Sequence, residues 1–100
     1  MAVIVQKYGG TSVGSVERIQ HVADKVISYR EQGHEVIVVV SAMSGETDRL
    51  LGLAKGVQGD YPTGPELDVL LSTGEQVTIA LLAMALNQRG CKAISRTGHQ

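Results

Sequence analysis

Three short stretches of this sequence hold residues whose types and spacing can handle charge. The first, Lys7-Tyr8-Gly9-Gly10-Thr11-Ser12-Val13-Gly14, sets a cation beside two residues without Cβ and two hydroxyls, just ahead of a helical pattern. Such a loop can hold phosphate, because glycines let backbone N–H groups approach an anion and a helix N-terminus favours negative charge. It is not a Walker A loop, whose lysine follows the glycines, and Gly9, Gly10 and Gly14 miss the G-x-G-x-x-G spacing. A plain tight turn is the alternative. The second stretch, Ser41-Ala42-Met43-Ser44-Gly45-Glu46-Thr47-Asp48, offers Ser41, Ser44 and Thr47 as donors, with Gly45 permitting close backbone approach. Ser, Thr and Asp ahead of a helix also serve as N-caps, and residue type alone favours capping here.

The third stretch is Ser72-Thr73-Gly74-Glu75-Gln76. A glycine inside a helix costs about 1 kcal/mol relative to alanine, so Gly74 beside a carboxylate suggests a close approach to the backbone. The alternatives are a kink or tight helix packing with Glu75 solvated. His21, His34 and His99 lack metal-ligand spacing with one another or with Cys91, so no structural zinc is expected. Cys91 reads as a small core residue.

These stretches need elements to position them. Ala2-Val3-Ile4-Val5 begins an apolar run closed by Gly9-Gly10, as in a buried strand. Val16, Ile19, Val22, Ala23, Val26 and Ile27 then recur at helical spacing, with Ser15 before them, Glu17 in the first turn, Arg30 near the last and Gly33 as a stop. Val36-Ile37-Val38-Val39-Val40 follows, a β-branched run without alternation that suits a strand covered on both faces. A helical crossover of this length makes the two strands parallel neighbours. Leu50, Leu51, Ala54 and Val57 suggest a short helix weakened by Gly52 and Gly56. Pro65 can open another, interrupted at Ser72-Thr73-Gly74 and resuming from Glu75 to Gly90. Its Val77 to Leu86 run is nearly all apolar and is expected to be buried on every side. Cys91-Lys92-Ala93-Ile94-Ser95 can start a third parallel strand.

Composition narrows the class. The chain has 100 residues, 43% apolar and 19% charged, which suits one globular domain or part of one and excludes a disordered chain. A net charge of −1 with no basic run gives no footing for nucleic acid. One cysteine cannot close an internal disulfide, and no secretory leader is evident, so the expected compartment is a reducing cytoplasm. The apolar run from Val77 is half the roughly 20 residues of a bilayer span, so no membrane association is expected.

Together the three stretches resemble the aspartate kinases, within the wider amino-acid kinase superfamily. Lys7-x-Gly9-Gly10 is shared across the superfamily. Ser41-Ala42-Met43-Ser44-Gly45 and Ser72-Thr73-Gly74-Glu75-Gln76, in this order, are more specific, and Ser95-x-Thr97-Gly98 extends the likeness to the last residues. Arg96 stands where the family has an aromatic residue.

The resemblance implies an α/β fold of three layers, α/β/α, around a mostly parallel sheet, with residues 1–100 forming its N-terminal β-α-β-α-α-β part. The C-terminal nucleotide-binding half and the regulatory ACT domains would be absent. It implies transfer of the ATP γ-phosphoryl group to the side-chain carboxylate of L-aspartate, the first step toward lysine, threonine and methionine, with Mg²⁺ accompanying ATP. Lys7 would be the catalytic cation. Lys7, Tyr8, Gly9, Gly10 and Ser12 would bind ATP phosphate. Ser41, Thr47 and Glu75 would bind aspartate, and no residue here is assigned to metal. A homo-oligomer is implied for the full-length enzyme, and the isolated 100 residues are expected to be inactive. Two other readings stand beside this one. The chain could be non-catalytic, acting only by association or phosphate binding, or a related kinase for an acid such as acetylglutamate, which should lack the second and third motifs.

Overall fold

A computed structural model describes residues 2–96; Thr97 and Gly98, which end the last motif, and His99 lie outside the described residues. The order is β1 (Val3–Tyr8), α1 (Val16–Glu31), β2 (Glu35–Val40), α2 (Glu46–Gln58) and α3 (Pro65–Gln88). β1 and β2 pair in parallel, with Val3 opposite Glu35 and Lys7 opposite Val39, as the crossover length requires. α1 starts where expected. The Ser15 hydroxyl accepts from the Arg18 N–H at 3.2 Å, and Gly33 follows the helix at φ +89°.

The core lies on one side of the sheet. Ile19, Val22, Ala23 and Val26 of α1 meet Leu82 and Leu86 of α3 beneath Val40, with Val36 and Val38 packed against them. At the far end of this contact Arg89 Nε donates to Asp24 Oδ1 at 2.9 Å, tying the end of α3 to α1. Among the described residues no helix covers the opposite sheet face. Ile37 and Val39 are therefore 54% and 46% exposed, against the expectation of a strand covered on both faces. The alternation along β1 and β2 comes from this one-sided packing, since residues two apart share a face.

α3 departs from expectation in two ways. It runs unbroken through Ser72-Thr73-Gly74 as 24 residues. It is also not buried all round: Gly74, Thr78, Leu82 and Leu86 face inward, while Val77 and Met84 are 48% and 65% exposed. Burial needs a layer on each side, and α1 and α2 supply neighbours on the inner side alone. At 24 residues and a mean hydropathy of 1.6 over its most apolar window, α3 is long and apolar enough to cross a membrane by length and composition. The ten-residue run had suggested half a span.

Residues 91–95, expected to begin a third strand, are not paired to the sheet. Their donors are bound elsewhere. Cys91 N–H bonds the Leu86 carbonyl at 2.9 Å, and Ala93 N–H bonds Asn87 Oδ1 at 2.8 Å. The segment is thus tied to the end of α3, and a cleft of about 410 Å³ separates it from Val36, Val38 and Val40. Cys91 packs half-buried against the core, as expected of a small core residue.

Candidate functional site

Parallel pairing brings the loops after β1 and β2 to the same end of the sheet, where α/β proteins bind their ligands. The first loop is closed by Ser12 N–H to the Gly9 carbonyl at 3.0 Å and anchored by Val13, fully buried in the core. The second begins against it, with Ser41 N–H donating to the Tyr8 carbonyl at 3.1 Å.

All three motif stretches meet at Ala42. A Cβ on Gly10 would lie 3.3 Å from the Ala42 carbonyl oxygen, and one on Gly14 would lie 3.2 Å from Ser44 Cβ. A Cβ on Gly74 would lie 3.0 Å from Ala42 Cβ and 3.4 Å from both Glu46 Cγ and Leu50 Cδ1. Tight packing, and not a kink, thus accounts for a glycine that costs its helix about 1 kcal/mol. Gly9 is different. Its φ is not left-handed and a Cβ there would meet nothing within 4 Å, so no contact within the described residues requires glycine at that position.

The N-terminus of α2 opens at this same cluster. Its N-cap is Gly45, at φ +82° and without a side-chain hydrogen bond, so the capping expected from Ser44, Thr47 and Asp48 does not occur. Thr47 is exposed in the first turn. Glu46 is engaged, its Oε1 accepting from Arg49 Nε at 3.1 Å and from Nη2 at 2.6 Å. That hydrogen bond, assisted by the guanidinium charge, holds the Glu46 carboxyl below the usual carboxylate range.

Lys7 projects from the bare sheet face, and among the described residues no acidic side chain pairs with it. Glu75 is exposed one residue beyond the Ala42 contact and lines a cleft of about 510 Å³ with Val40, Ser72 and Gln76. The Ser72 and Thr73 hydroxyls donate back to the Val69 and Leu70 carbonyls at 2.7 and 2.6 Å, which leaves Glu75 as the charged group this turn presents. No hydrogen bond or ion pair among the described residues joins Lys7 to Glu75.

Tyr8 does not present its side chain here. Strand alternation puts it on the face opposite Lys7, where its hydroxyl donates to Gln6 Oε1 at 2.9 Å. Burial, and to a lesser degree Tyr29, raises its pKa above the ordinary phenol value. Its contribution at this end of the sheet is the backbone carbonyl that receives Ser41. Ala42 offers no chemistry to single it out, and Ser44 stood out as a donor and not as a packing contact. The signal available was a set of glycines at 10, 14 and 74 needing small partners.

The amino acid kinase family model matches residues 2–98. The chain is 67% identical over 101 residues to the aspartate kinase of Pseudomonas fluorescens and 57% identical over 100 residues to aspartokinase 2 of Bacillus subtilis. All of this chain is covered in both cases, but it spans only 24% of each relative's length. Its fold matches the crystal structure of aspartate kinase from Synechocystis with a TM-score of 0.92 and 53% identity, covering 98% of this chain and 17% of that one. It also matches E. coli aspartokinase III in complex with aspartate and ADP, at a TM-score of 0.71 and 25% identity, over 88% of this chain and 29% of that one.

Proposed function

The chain belongs to the amino acid kinase family, and from that premise we propose that it is the N-terminal part of an aspartate kinase catalytic domain. The reaction is transfer of the γ-phosphoryl group of ATP to the side-chain carboxylate of L-aspartate, the first step toward lysine, threonine and methionine. The observation that carries this reading is the meeting of all three motif stretches on Ala42, in a chain 67% identical to an aspartate kinase throughout.

The chemistry suits the residues present. A carboxylate is ionised at neutral pH, so the nucleophile needs no general base. Its difficulty is that an anion attacks a polyanion, and catalysis then rests on positioning and charge stabilisation. A bond forms between an aspartate carboxylate oxygen and the γ-phosphorus, the bond to the β–γ bridging oxygen breaks, and ADP leaves. Lys7 supplies positive charge to the phosphates. Gly9 and Gly10 let their backbone reach the phosphates, with Ser12 beside them. Ser41 and Thr47 flank the aspartate at the uncapped start of α2, and Glu75 receives its ammonium group in a charge-assisted bond. Mg²⁺ accompanies ATP in this reading. Among the described residues no three His, Cys, Asp or Glu side chains cluster as a metal site, and none of them is assigned to the ion. The bare sheet face and the exposed stripe of Val77 and Met84 are covered by the remainder of the protein.

The test is an enzyme in which this chain replaces the matching quarter of the Pseudomonas fluorescens aspartate kinase. Aspartyl phosphate is trapped as its hydroxamate. Aspartate-dependent hydroxamate formation at a rate comparable to the parent supports the proposal; a folded chimera forming none rejects it.

A further inference from the structure

Gly74 is buried and mid-helix, and its φ is not left-handed, so backbone conformation does not call for glycine there. Contact does. A Cβ at this position would stand 3.0 Å from Ala42 Cβ, tighter than nine in ten real Cβ contacts, so one side of the contact has to give by a few tenths of an ångström. Across the same residue, the Ala42 carbonyl limits Gly10 in the same way, at 3.3 Å. Ala42 is itself 7% exposed, held between the first loop and α3. Glu75 follows Gly74 directly on a rigid helix, so whatever fixes Gly74 against Ala42 also fixes the Glu75 backbone against the loop bearing Ser41 and Thr47.

We infer that the Ala42–Gly74 contact is the spacer that sets the distance between the two walls of the aspartate site, making Gly74 a positioning residue for amino-acid recognition. The inference rests on the functional reading above. A methyl group at position 74 pushes α3 away from the loop in this proposal, because Ala42 is backed by the Gly10 strand-end turn, where a Cβ would lie 3.3 Å from the Ala42 carbonyl oxygen. The separation of Glu75 from Thr47 then grows. The shift needed is a few tenths of an ångström; since a misplacement of about 1 Å costs on the order of a hundredfold, a loss of about tenfold is expected from this one. The phosphate-facing side of the site, built on Lys7 and Gly9, lies across Ala42 from this displacement.

The test uses the chimeric enzyme and three variants: Gly74→Ala, Ala42→Gly, and the exchange Ala42→Gly with Gly74→Ala, which moves one methyl group across the contact. Gly74→Ala is expected to raise KM for aspartate about tenfold or more while KM for ATP stays within about twofold, and the exchange is expected to restore aspartate KM. A merely structural role predicts loss of stable protein with aspartate KM unchanged, and that result overturns the inference. Crystal structures of the three variants supply a readout that needs no turnover. Glu75 Cα should move away from Thr47 in Gly74→Ala and return in the exchange; an unmoved Glu75 overturns the inference whatever the kinetics. If the unsubstituted chimera forms no aspartyl phosphate, the functional reading fails separately, and the crystallographic comparison still decides whether Gly74 sets the spacing.

Discussion

Gly9 and Gly10 are adjacent, yet the structure assigns them opposite responses to the same substitution. At Gly9 an added Cβ meets nothing within 4 Å and φ is not left-handed, so Gly9→Ala should stabilise the fold by about 0.4–1 kcal/mol through reduced freedom of the unfolded chain. At Gly10 the same change sets a Cβ 3.3 Å from the Ala42 carbonyl oxygen, tighter than ordinary van der Waals contact. Overpacking typically costs about 1–3 kcal/mol, which outweighs the entropic gain of about 0.4–1 kcal/mol and leaves Gly10→Ala destabilised by up to about 2.6 kcal/mol. Activity should not follow stability. If Gly9 is glycine so that phosphate can approach the backbone, Gly9→Ala loses phosphoryl transfer and raises KM for ATP despite the firmer fold. Urea unfolding of the chimera, read beside hydroxamate formation, separates the two quantities. A Gly9→Ala enzyme that is more stable and equally active would refute the assignment of Gly9 to phosphate. One destabilised by more than about 1 kcal/mol would refute the geometry.

Two further outcomes are expected. Glu75→Gln keeps the shape of the exposed side chain but removes its charge, so it should weaken aspartate binding by roughly 2–3 kcal/mol, a thirtyfold or greater rise in KM, with KM for ATP unchanged; steady-state kinetics with each substrate varied checks it. Glu46 has its carboxyl pKa lowered by the hydrogen bond from Arg49. A lowered folded-state value adds stability that is complete above the unfolded pKa, near 4.5, and lost as pH falls through the folded one. Arg49→Gln should therefore lower the unfolding midpoint at pH 7 and leave it unchanged in acid below the Glu46 titration. Equal loss at both pH values would show that Arg49 acts by packing alone.

The strand–helix–strand frame was legible because its signals agree: the Ser15 cap, the Ile19–Val26 stripe and the Gly33 stop all point to α1, and its length dictates parallel strands. The chemistry of Lys7, Thr47 and Glu75 was legible as residue type. What escaped was direction and contact. Tyr8 sits within a phosphate-like motif, but period-two alternation turns it toward α1, a constraint that motif spacing does not express. Gly74 read equally as kink, ligand approach or packing, because its partner Ala42 lies 32 positions earlier and only the fold joins them. The apolarity of Ile37, Val39, Val77 and Met84 indicates covered faces, while the described residues bring cover to one side. Ser44, Thr47 and Asp48 looked like caps because capping depends on backbone angles, and Gly45 takes the cap position with none of their side chains engaged.

Lys7 carries the central claim, since it is the cation of this chain set at the end of β1 without an acidic partner among the described residues. Among the described residues its side chain is exposed and makes no ion pair, and Met keeps the length of its apolar stem, so Lys7→Met should change stability by less than about 0.5 kcal/mol. Loss of a preorganised charge on the transferring phosphate should cost roughly 3–4 kcal/mol, on the order of a hundredfold to a thousandfold in turnover. The decisive measurement is aspartate-dependent hydroxamate formation by Lys7→Met in the chimeric enzyme, beside its urea midpoint. The account predicts an unchanged midpoint with turnover reduced at least about a hundredfold; an unchanged midpoint with undiminished turnover would contradict it.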